Sequence, residues 1–91
     1  MVNALLTNGN MNLDNISLKL SEEKKEEIIE AVQTNKKSMS DTRKYHPNSL
    51  SFLFQEWHKL FPQHRQSASC LSCRKAVTKF FTLLTEYWEN K

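Results

Sequence analysis

Apolar side chains between Leu50 and Phe61 recur with the spacing of one helix face, and this pattern constrains the fold of the chain more than any other. They fall at positions i, i+3, i+4, i+7, i+10 and i+11 and are Leu50, Leu53, Phe54, Trp57, Leu60 and Phe61. Pro47 precedes the pattern and Pro62 follows it. Because proline interrupts helical hydrogen bonding, both mark boundaries. The sequence therefore predicts an amphipathic helix over residues 48–61.

A second apolar face follows at helical spacing and includes both cysteines: Cys70, Cys73, Val77, Phe80, Phe81, Leu84 and Tyr87 or Trp88. This face predicts a helix over residues 70–89. Because only residues 62–69 join the two helices, we expect them to pack antiparallel as a helical hairpin. The side chains expected to be buried between them are Phe54, Trp57, Phe61, Phe80, Phe81 and Leu84.

Residues 22–35 are predicted to form a weaker third helix. Ser21 is a suitable N-cap, and Glu22 and Glu23 occupy the first turn, where carboxylates favour the positive end of the helix dipole. Residues 36–45 are polar and are predicted to be a linker. One glycine and two prolines are too few for the many tight turns of an all-β fold. The predicted fold class is therefore all-α.

Residues 1–20 are predicted to be an extended arm that precedes a small helical domain over residues 21–91. The asparagine-rich start competes with regular backbone hydrogen bonding, and residues 16–20 alternate apolar and polar side chains like a short strand. Apolar side chains without a local core suit a partner's surface, because a segment that orders on binding can wrap a wide area. The expected partner-binding residues are Leu5, Leu6, Leu13, Ile16, Leu18 and Leu20.

Charge is distributed unevenly along the chain. Residues 1–41 contain five lysines and seven acidic residues, a net −2, whereas residues 42–91 contain eight Lys or Arg and three Glu, a net +5. The C-terminal part is thus the one suited to an anionic partner, although dedicated DNA-binding domains usually carry more charge. The candidate nucleic-acid contacts are Arg65, Arg74, Lys75 and Lys79. A solvated helix face is the alternative interpretation.

The sequence has no apolar stretch long enough to span a bilayer and no secretory signal, so we expect a soluble intracellular protein without a membrane partner. In that compartment thiols stay reduced. No nucleophile–base–acid set, phosphate-binding glycine loop or carboxylate pair is visible. We therefore expect no enzymatic activity and no cofactor.

The only two cysteines, Cys70 and Cys73, leave three interpretations open. In phase with the apolar face, free cysteines pack as small apolar side chains, and this is the interpretation that we favour. A tetrahedral zinc site needs four N or S ligands, and the pattern H-x5-H-x5-C-x2-C supplies His58, His64, Cys70 and Cys73. A redox role would use a thiolate at a helix N-terminus beside Arg74, but the βαβ surroundings of a thioredoxin-like domain are missing.

Three short motifs lie in the segment 50–81. Leu60-Phe61-Pro62 comes first, then Gln66-Ser67-Ala68-Ser69-Cys70-Leu71-Ser72-Cys73-Arg74, and then Val77 with an aromatic pair. With these motifs, about a third of the chain resembles a family of short proteins encoded by tailed bacteriophages, crAss-like phages of Bacteroidota among them. The resemblance implies a virion-associated accessory protein and no catalytic residues.

We therefore expect a non-enzymatic accessory or structural protein of a tailed-phage particle, located in the virion or in the bacterial host cytoplasm. Its expected partner is a larger phage structural protein, bound through the arm and through apolar helical surface. The alternative is a small nucleic-acid-binding or regulatory protein, in which the zinc set would stabilise the fold.

Overall fold

The structure, a computed structural model, describes residues 13–90, and this part of the chain contains four α-helices. The helices are α1 (Leu13–Leu18), α2 (Glu22–Thr42), α3 (Pro47–Leu60) and α4 (Leu71–Glu89). None of the described residues forms a strand, so the predicted all-α class is confirmed. Within this part of the chain, no helix combines the length with the apolar character that crossing a membrane requires.

Helix α2 begins where the sequence predicts and ends later. The Oγ of Ser21 accepts a hydrogen bond from a backbone N–H of the first turn at 3.0 Å, which makes it the N-cap. The helix continues because no glycine or proline interrupts it, and Lys37 and Asp41 form an i,i+4 ion pair at 3.2 Å. It ends at Arg43, whose φ of 61° is left-handed. The linker predicted for residues 36–45 is therefore wrong over most of its length.

A buried amide fixes the connection between α2 and α3. Asn35 is buried, and its Oδ1 accepts a hydrogen bond from the backbone N–H of His46 at 2.8 Å. His46 in turn caps α3, because its Nδ1 accepts the N–H of Ser49 at 3.2 Å. Pro47 occupies the first turn, where its missing N–H costs no helical hydrogen bond. Asn35 thus positions the next helix instead of ending its own.

Residues from all four helices build the core. The buried apolar side chains are Ile16, Ile28, Ala31, Val32, Leu50, Leu53, Phe54, Trp57, Val77, Phe80, Phe81 and Leu84. The ring centroid of Phe80 lies 5.4 Å from that of Trp57 and 5.3 Å from that of Phe61, both nearly edge-to-face. The predicted core is confirmed, with Phe61 half-buried at its edge. Helix α2 packs against both α3 and α4, so it is a full member of the fold.

Helices α3 and α4 run in the same general direction, and the expected antiparallel arrangement is wrong. Leu50, near the start of α3, and Leu71, at the start of α4, line the same groove. Further along both helices, Trp57 contacts Phe80. Successive positions of α3 therefore meet successive positions of α4.

The connection over residues 61–70 explains this direction, because it returns along α3 before α4 begins. The indole Nε1 of Trp57 donates to the backbone carbonyl of His64 at 2.6 Å. The ring Nε2 of His58 lies 3.1 Å from the backbone nitrogen of Gln66 and 2.9 Å from its carbonyl oxygen. Two side chains of α3 thus hold the connection against their own helix.

The segment 16–20, predicted to be extended, instead contains the end of helix α1 and the turn that follows it. Ile16 is buried in the core, and Leu13 and Leu20 pack against it. These three side chains are spaced at i, i+3 and i+7, which is a helical spacing that the short alternating pattern concealed. The expectation that they lack a local core is therefore wrong.

The C-terminal turn of α4 holds α1 in place. The indole Nε1 of Trp88 donates a hydrogen bond to the Oγ of Ser17 at 2.6 Å, and the hydroxyl of Tyr87 donates to the carboxylate of Asp14. The rest of the predicted arm, residues 1–12, lies outside the described residues.

Candidate functional site

A groove of about 560 Å³ lies where the end of α2, the start of α3 and the start of α4 meet. We call it the basic groove. It is lined by four cationic side chains and several apolar ones, among them Arg43, Lys44, Arg74, Lys75, Met39, Tyr45 and Leu71. No carboxylate stands among the described residues that line it. The groove therefore suits a ligand that carries both negative charge and apolar surface.

The turn after α2 places two of these cations. Arg43 adopts the left-handed conformation that ends the helix, and Lys44 follows it. The Oγ of Ser38 donates to the carbonyl of Lys44 at 2.7 Å, and the Oγ1 of Thr42 accepts the N–H of Lys44 at 3.2 Å. These side-chain bonds to the backbone fix the turn, and with it the positions from which both cations enter the groove.

Arg74 enters the groove from the first turns of α4. Its Nε donates to the carbonyl of Ala68 at 2.6 Å, and its guanidinium carbon lies 5.8 Å from the ring centroid of Tyr45. A cation–π contact and a hydrogen bond together restrict the rotamers of this long side chain. The guanidinium is thus positioned before any ligand arrives, which lowers the entropic cost of binding.

Two exposed apolar side chains flank these cations. Leu71 is 55% exposed and Met39 is 36% exposed. Among the described residues, the third large apolar side chain of this kind is Leu18, at 84%, on α1. Exposed apolar side chains that cluster beside convergent charges are typical of interaction surfaces, whereas scattered ones are ordinary.

The structure brings together only part of the predicted nucleic-acid set. Arg74 and Lys75 line the basic groove, whereas Arg65 and Lys79 are exposed elsewhere, in the connection and on α4. Arg43 was not predicted, because residues 36–45 were assigned to a linker, which placed the end of α2 too early. The basic pair Arg43 and Lys44, directly after a run of helix-forming residues, could have indicated the true end of the helix.

The two cysteines meet at the start of α4. Cys70 is the N-cap, and its Sγ accepts the backbone N–H of Cys73 at 3.3 Å. The Oγ of Ser72 lies 3.2 Å from the same sulfur. Both thiols are free and half-buried, but only Cys73 packs against the core. The packing interpretation thus describes Cys73 better than Cys70.

Hydrogen bonding separates the acidities of the two thiols. The pKa of Cys70 is lowered to about 7, chiefly because the Cys73 side chain donates to its sulfur, with Ser72 and the Cys73 amide adding to the effect. The pKa of Cys73 is raised, chiefly by the same hydrogen bond to Cys70. The pair therefore contains one readily ionised thiol and one that holds its proton.

The alternative zinc set is not assembled. The ring Nε2 of His58 is engaged with the backbone of Gln66, and His64 is exposed and contributes its carbonyl to Trp57. Within residues 13–90, no group of three or more His, Cys, Asp or Glu side chains is arranged to hold a metal ion. Of the four candidate ligands, Cys70 and Cys73 lie next to each other, with the Cys73 N–H donating to the Cys70 sulfur.

The expected partner-binding residues are distributed between core and surface. Leu13, Ile16 and Leu20 pack inward, while Leu18 projects into solvent. Leu5 and Leu6 lie outside the described residues. An N-terminal contact surface on the described residues is therefore reduced to the exposed side of α1.

Glu56 is a buried carboxylate that the sequence did not single out. Its side chain is 3% exposed, and its Oε2 lies 3.1 Å from the Nζ of Lys24 and 3.4 Å from that of Lys59. The pKa of Lys24 is raised, chiefly by its hydrogen bond to Glu56. Because both lysines neutralise it, Glu56 joins α2 to α3 and leaves no unpaired charge for chemistry.

The basic groove and the cysteine pair are thus two places at which the described residues expose reactive or binding groups. Comparison with protein-family models, curated proteins and solved structures finds no match for the chain. No binding or catalytic residue can therefore be transferred to it from a relative.

Proposed function

We propose that this chain is a non-enzymatic accessory or structural protein of a tailed-phage particle, which binds a larger virion protein. The observation that carries the proposal is the basic groove, in which Leu71 and Met39 are exposed beside four cations. The motifs between residues 50 and 81 supply the link to phage proteins. In this role the protein is located in the virion, and in the host cytoplasm before assembly.

Binding energy in the groove comes from the apolar side chains, and charge selects the partner. Full burial of a leucine contributes about 1.5–3 kcal/mol, so covering the exposed half of Leu71 contributes about 1 kcal/mol. The cations raise the rate at which an acidic surface associates and disfavour basic ones. The exposed Leu18 and the sequence-predicted Leu5 and Leu6 would add a second contact.

Quantitative mass spectrometry of purified phage particles tests the proposal. Particles assembled with wild-type protein are expected to contain it, and the Leu71→Glu variant is expected to incorporate about tenfold less. Leu71 begins α4, where a carboxylate suits the helix dipole, so this variant should fold. Gln55→Glu, an exposed change on α3 outside the groove, is the matched control and should incorporate normally. Absence of the wild-type protein from particles would refute the proposal.

A small nucleic-acid-binding or regulatory protein is the second candidate, favoured by the four groove cations without a carboxylate. Four phosphate contacts would give a slope of log affinity against log salt of about −3.6 for duplex DNA. Fluorescence anisotropy with labelled single- and double-stranded oligonucleotides measures this slope. Arg43→Glu should then weaken binding, while Lys79→Glu, outside the groove, should change it little. Binding that does not depend on salt would exclude this candidate.

A further inference from the structure

The start of α4 contains two thiols in one helical turn that differ in position and environment. Cys70 has φ −99° and ψ 122°, outside the helix, whereas Cys73 lies within it and packs against the core. Both remain half-buried, so solvent reaches them without unfolding of α4. Nothing in the function proposed above uses this pair.

The surroundings of Cys70 favour its thiolate. Its sulfur accepts the N–H of Cys73 at 3.3 Å, and the hydroxyl of Ser72 lies 3.2 Å away. The first turn of α4 has no acidic residue. A helix N-terminus stabilises negative charge on sulfur, because its backbone N–H groups point toward it.

We propose that Cys70 and Cys73 form a redox-active dithiol that exchanges with small-molecule disulfides, with Cys70 as the attacking sulfur and Cys73 as the resolving one. The Sγ of Cys70 already lies 3.3 Å from the backbone nitrogen of Cys73, which places both thiols at the first turn of α4. Residues three apart on a helix have Cβ atoms about 5–6 Å apart, and a disulfide needs about 3.5–4.5 Å. Cys70 is the N-cap, with an extended backbone, so the Cβ separation of two regular helical positions does not apply to this pair.

The exchange balances with glutathione disulfide as the oxidant. The Cys70 thiolate attacks one glutathione sulfur, a Cys70–glutathione disulfide forms, and the second glutathione leaves as a thiolate that takes a proton from water. Cys73 then loses its proton and attacks the Cys70 sulfur, which forms the Cys70–Cys73 disulfide and releases the remaining glutathione as a thiol. Two protein thiols are oxidised and one glutathione disulfide is reduced to two thiols.

The expected rate difference follows from the acidities. At pH 7 a thiol whose pKa is about 7 is half ionised, whereas one at the ordinary 9.0 is about one hundredth ionised. The lower-pKa thiolate is intrinsically about eightfold less nucleophilic, so the net advantage of Cys70 over a thiol of ordinary pKa is about sixfold. The advantage over Cys73 is larger, because the pKa of Cys73 is raised. The Ser variants keep a hydroxyl donor at each position, and serine is also a good N-cap, so both should fold.

The full chain is tested by iodoacetamide alkylation across pH and by incubation with glutathione disulfide, both read by mass spectrometry. We expect Cys70 to alkylate with a midpoint near pH 7 and at least about sixfold faster than Cys73 at that pH. Ser72→Ala, which keeps both thiols, should raise the midpoint, because it removes one donor to the Cys70 sulfur.

Glutathione disulfide distinguishes the roles of the two sulfurs. Wild-type protein should lose two hydrogen atoms and retain no glutathione, whereas Cys73→Ser should retain one glutathione on Cys70. Cys70→Ser should react about sixfold more slowly than Cys73→Ser. Equal alkylation of the two thiols with an ordinary midpoint would overturn the proposal, and so would a wild-type protein that keeps glutathione. Circular dichroism of each variant verifies that α4 is intact.

Discussion

Removing the indole of Trp57 should produce the largest loss of stability of any single side-chain truncation considered for this protein. The residue is 3% exposed, and its ring centroid lies 4.6 Å from that of Phe61 and 5.4 Å from that of Phe80. A buried tryptophan removes about 150–250 Å² from water, which corresponds to about 4–6 kcal/mol as an upper bound. For Trp57→Ala we therefore expect a loss of about 3–5 kcal/mol in the free energy of unfolding.

A second substitution separates the ring packing from the hydrogen bond. Trp57→Phe keeps an aromatic ring against Phe80 but removes the indole N–H that donates to the carbonyl of His64. Because His64 is exposed, water can replace this donor, and the expected loss is about 1–2 kcal/mol. The difference between the losses of the two variants is the contribution of ring packing to the free energy of unfolding. The loss for Trp57→Phe measures the contribution of the hydrogen bond between α3 and the connection.

Urea denaturation, followed by far-UV circular dichroism and by fluorescence of the remaining Trp88, measures both losses. A chain of 91 residues has a total stability of about 5–14 kcal/mol, so Trp57→Ala should shift the transition strongly. Lys79→Ala, an exposed change on α4, is the control and should stay within about 0.5 kcal/mol of wild type. A loss below about 1 kcal/mol for Trp57→Ala would refute the packing of α3 on α4.

Further substitutions test how the helices are capped and joined, and urea denaturation reads each of them. Ser21→Ala should cost about 1 kcal/mol through loss of the α2 N-cap, and Ser21→Asp should restore it. Asn35→Ala should cost about 1–3 kcal/mol because the N–H of His46 loses its acceptor, and no change would contradict that hydrogen bond. Lys24→Met should cost about 1–3 kcal/mol by leaving Glu56 with one lysine. Because the pKa of Lys24 is raised from 10.5, this stabilisation is present below pH 10.5 and disappears as pH rises above it.

Local patterns in the sequence were sufficient for α3 and α4. Each has an apolar face with helical period, and Pro47 and Pro62 mark the two ends of α3. Their relative direction depends on residues 61–70, whose path is set by tertiary hydrogen bonds from α3 side chains. The composition of residues 61–70 does not show which way this connection runs. The prediction that α3 and α4 pack antiparallel was therefore wrong.

The same reason limits what the sequence says about α1 and the end of α2. A helix of six residues is not stable alone and forms because Ile16 reaches the core. The sequence predicts that Asn35 ends its helix, because asparagine is common there. Its actual role, accepting the N–H of His46, depends on a contact that the sequence does not show. For the candidate site, Arg74 and the cysteine pair were visible in the sequence, whereas Arg43 joined the groove only through the fold.

The contact between α1 and the last turn of α4 brings the two ends of the described chain to one side of the molecule. Helix α4 is 19 residues long and thus about 28 Å, and the basic groove lies at its opposite end. Leu13 and Asn90, the first and last described residues, therefore lie remote from the groove. The exposed side of α1 and the basic groove are thus separated by about the length of α4, so a rigid body that contacted both would need contact sites about 28 Å apart.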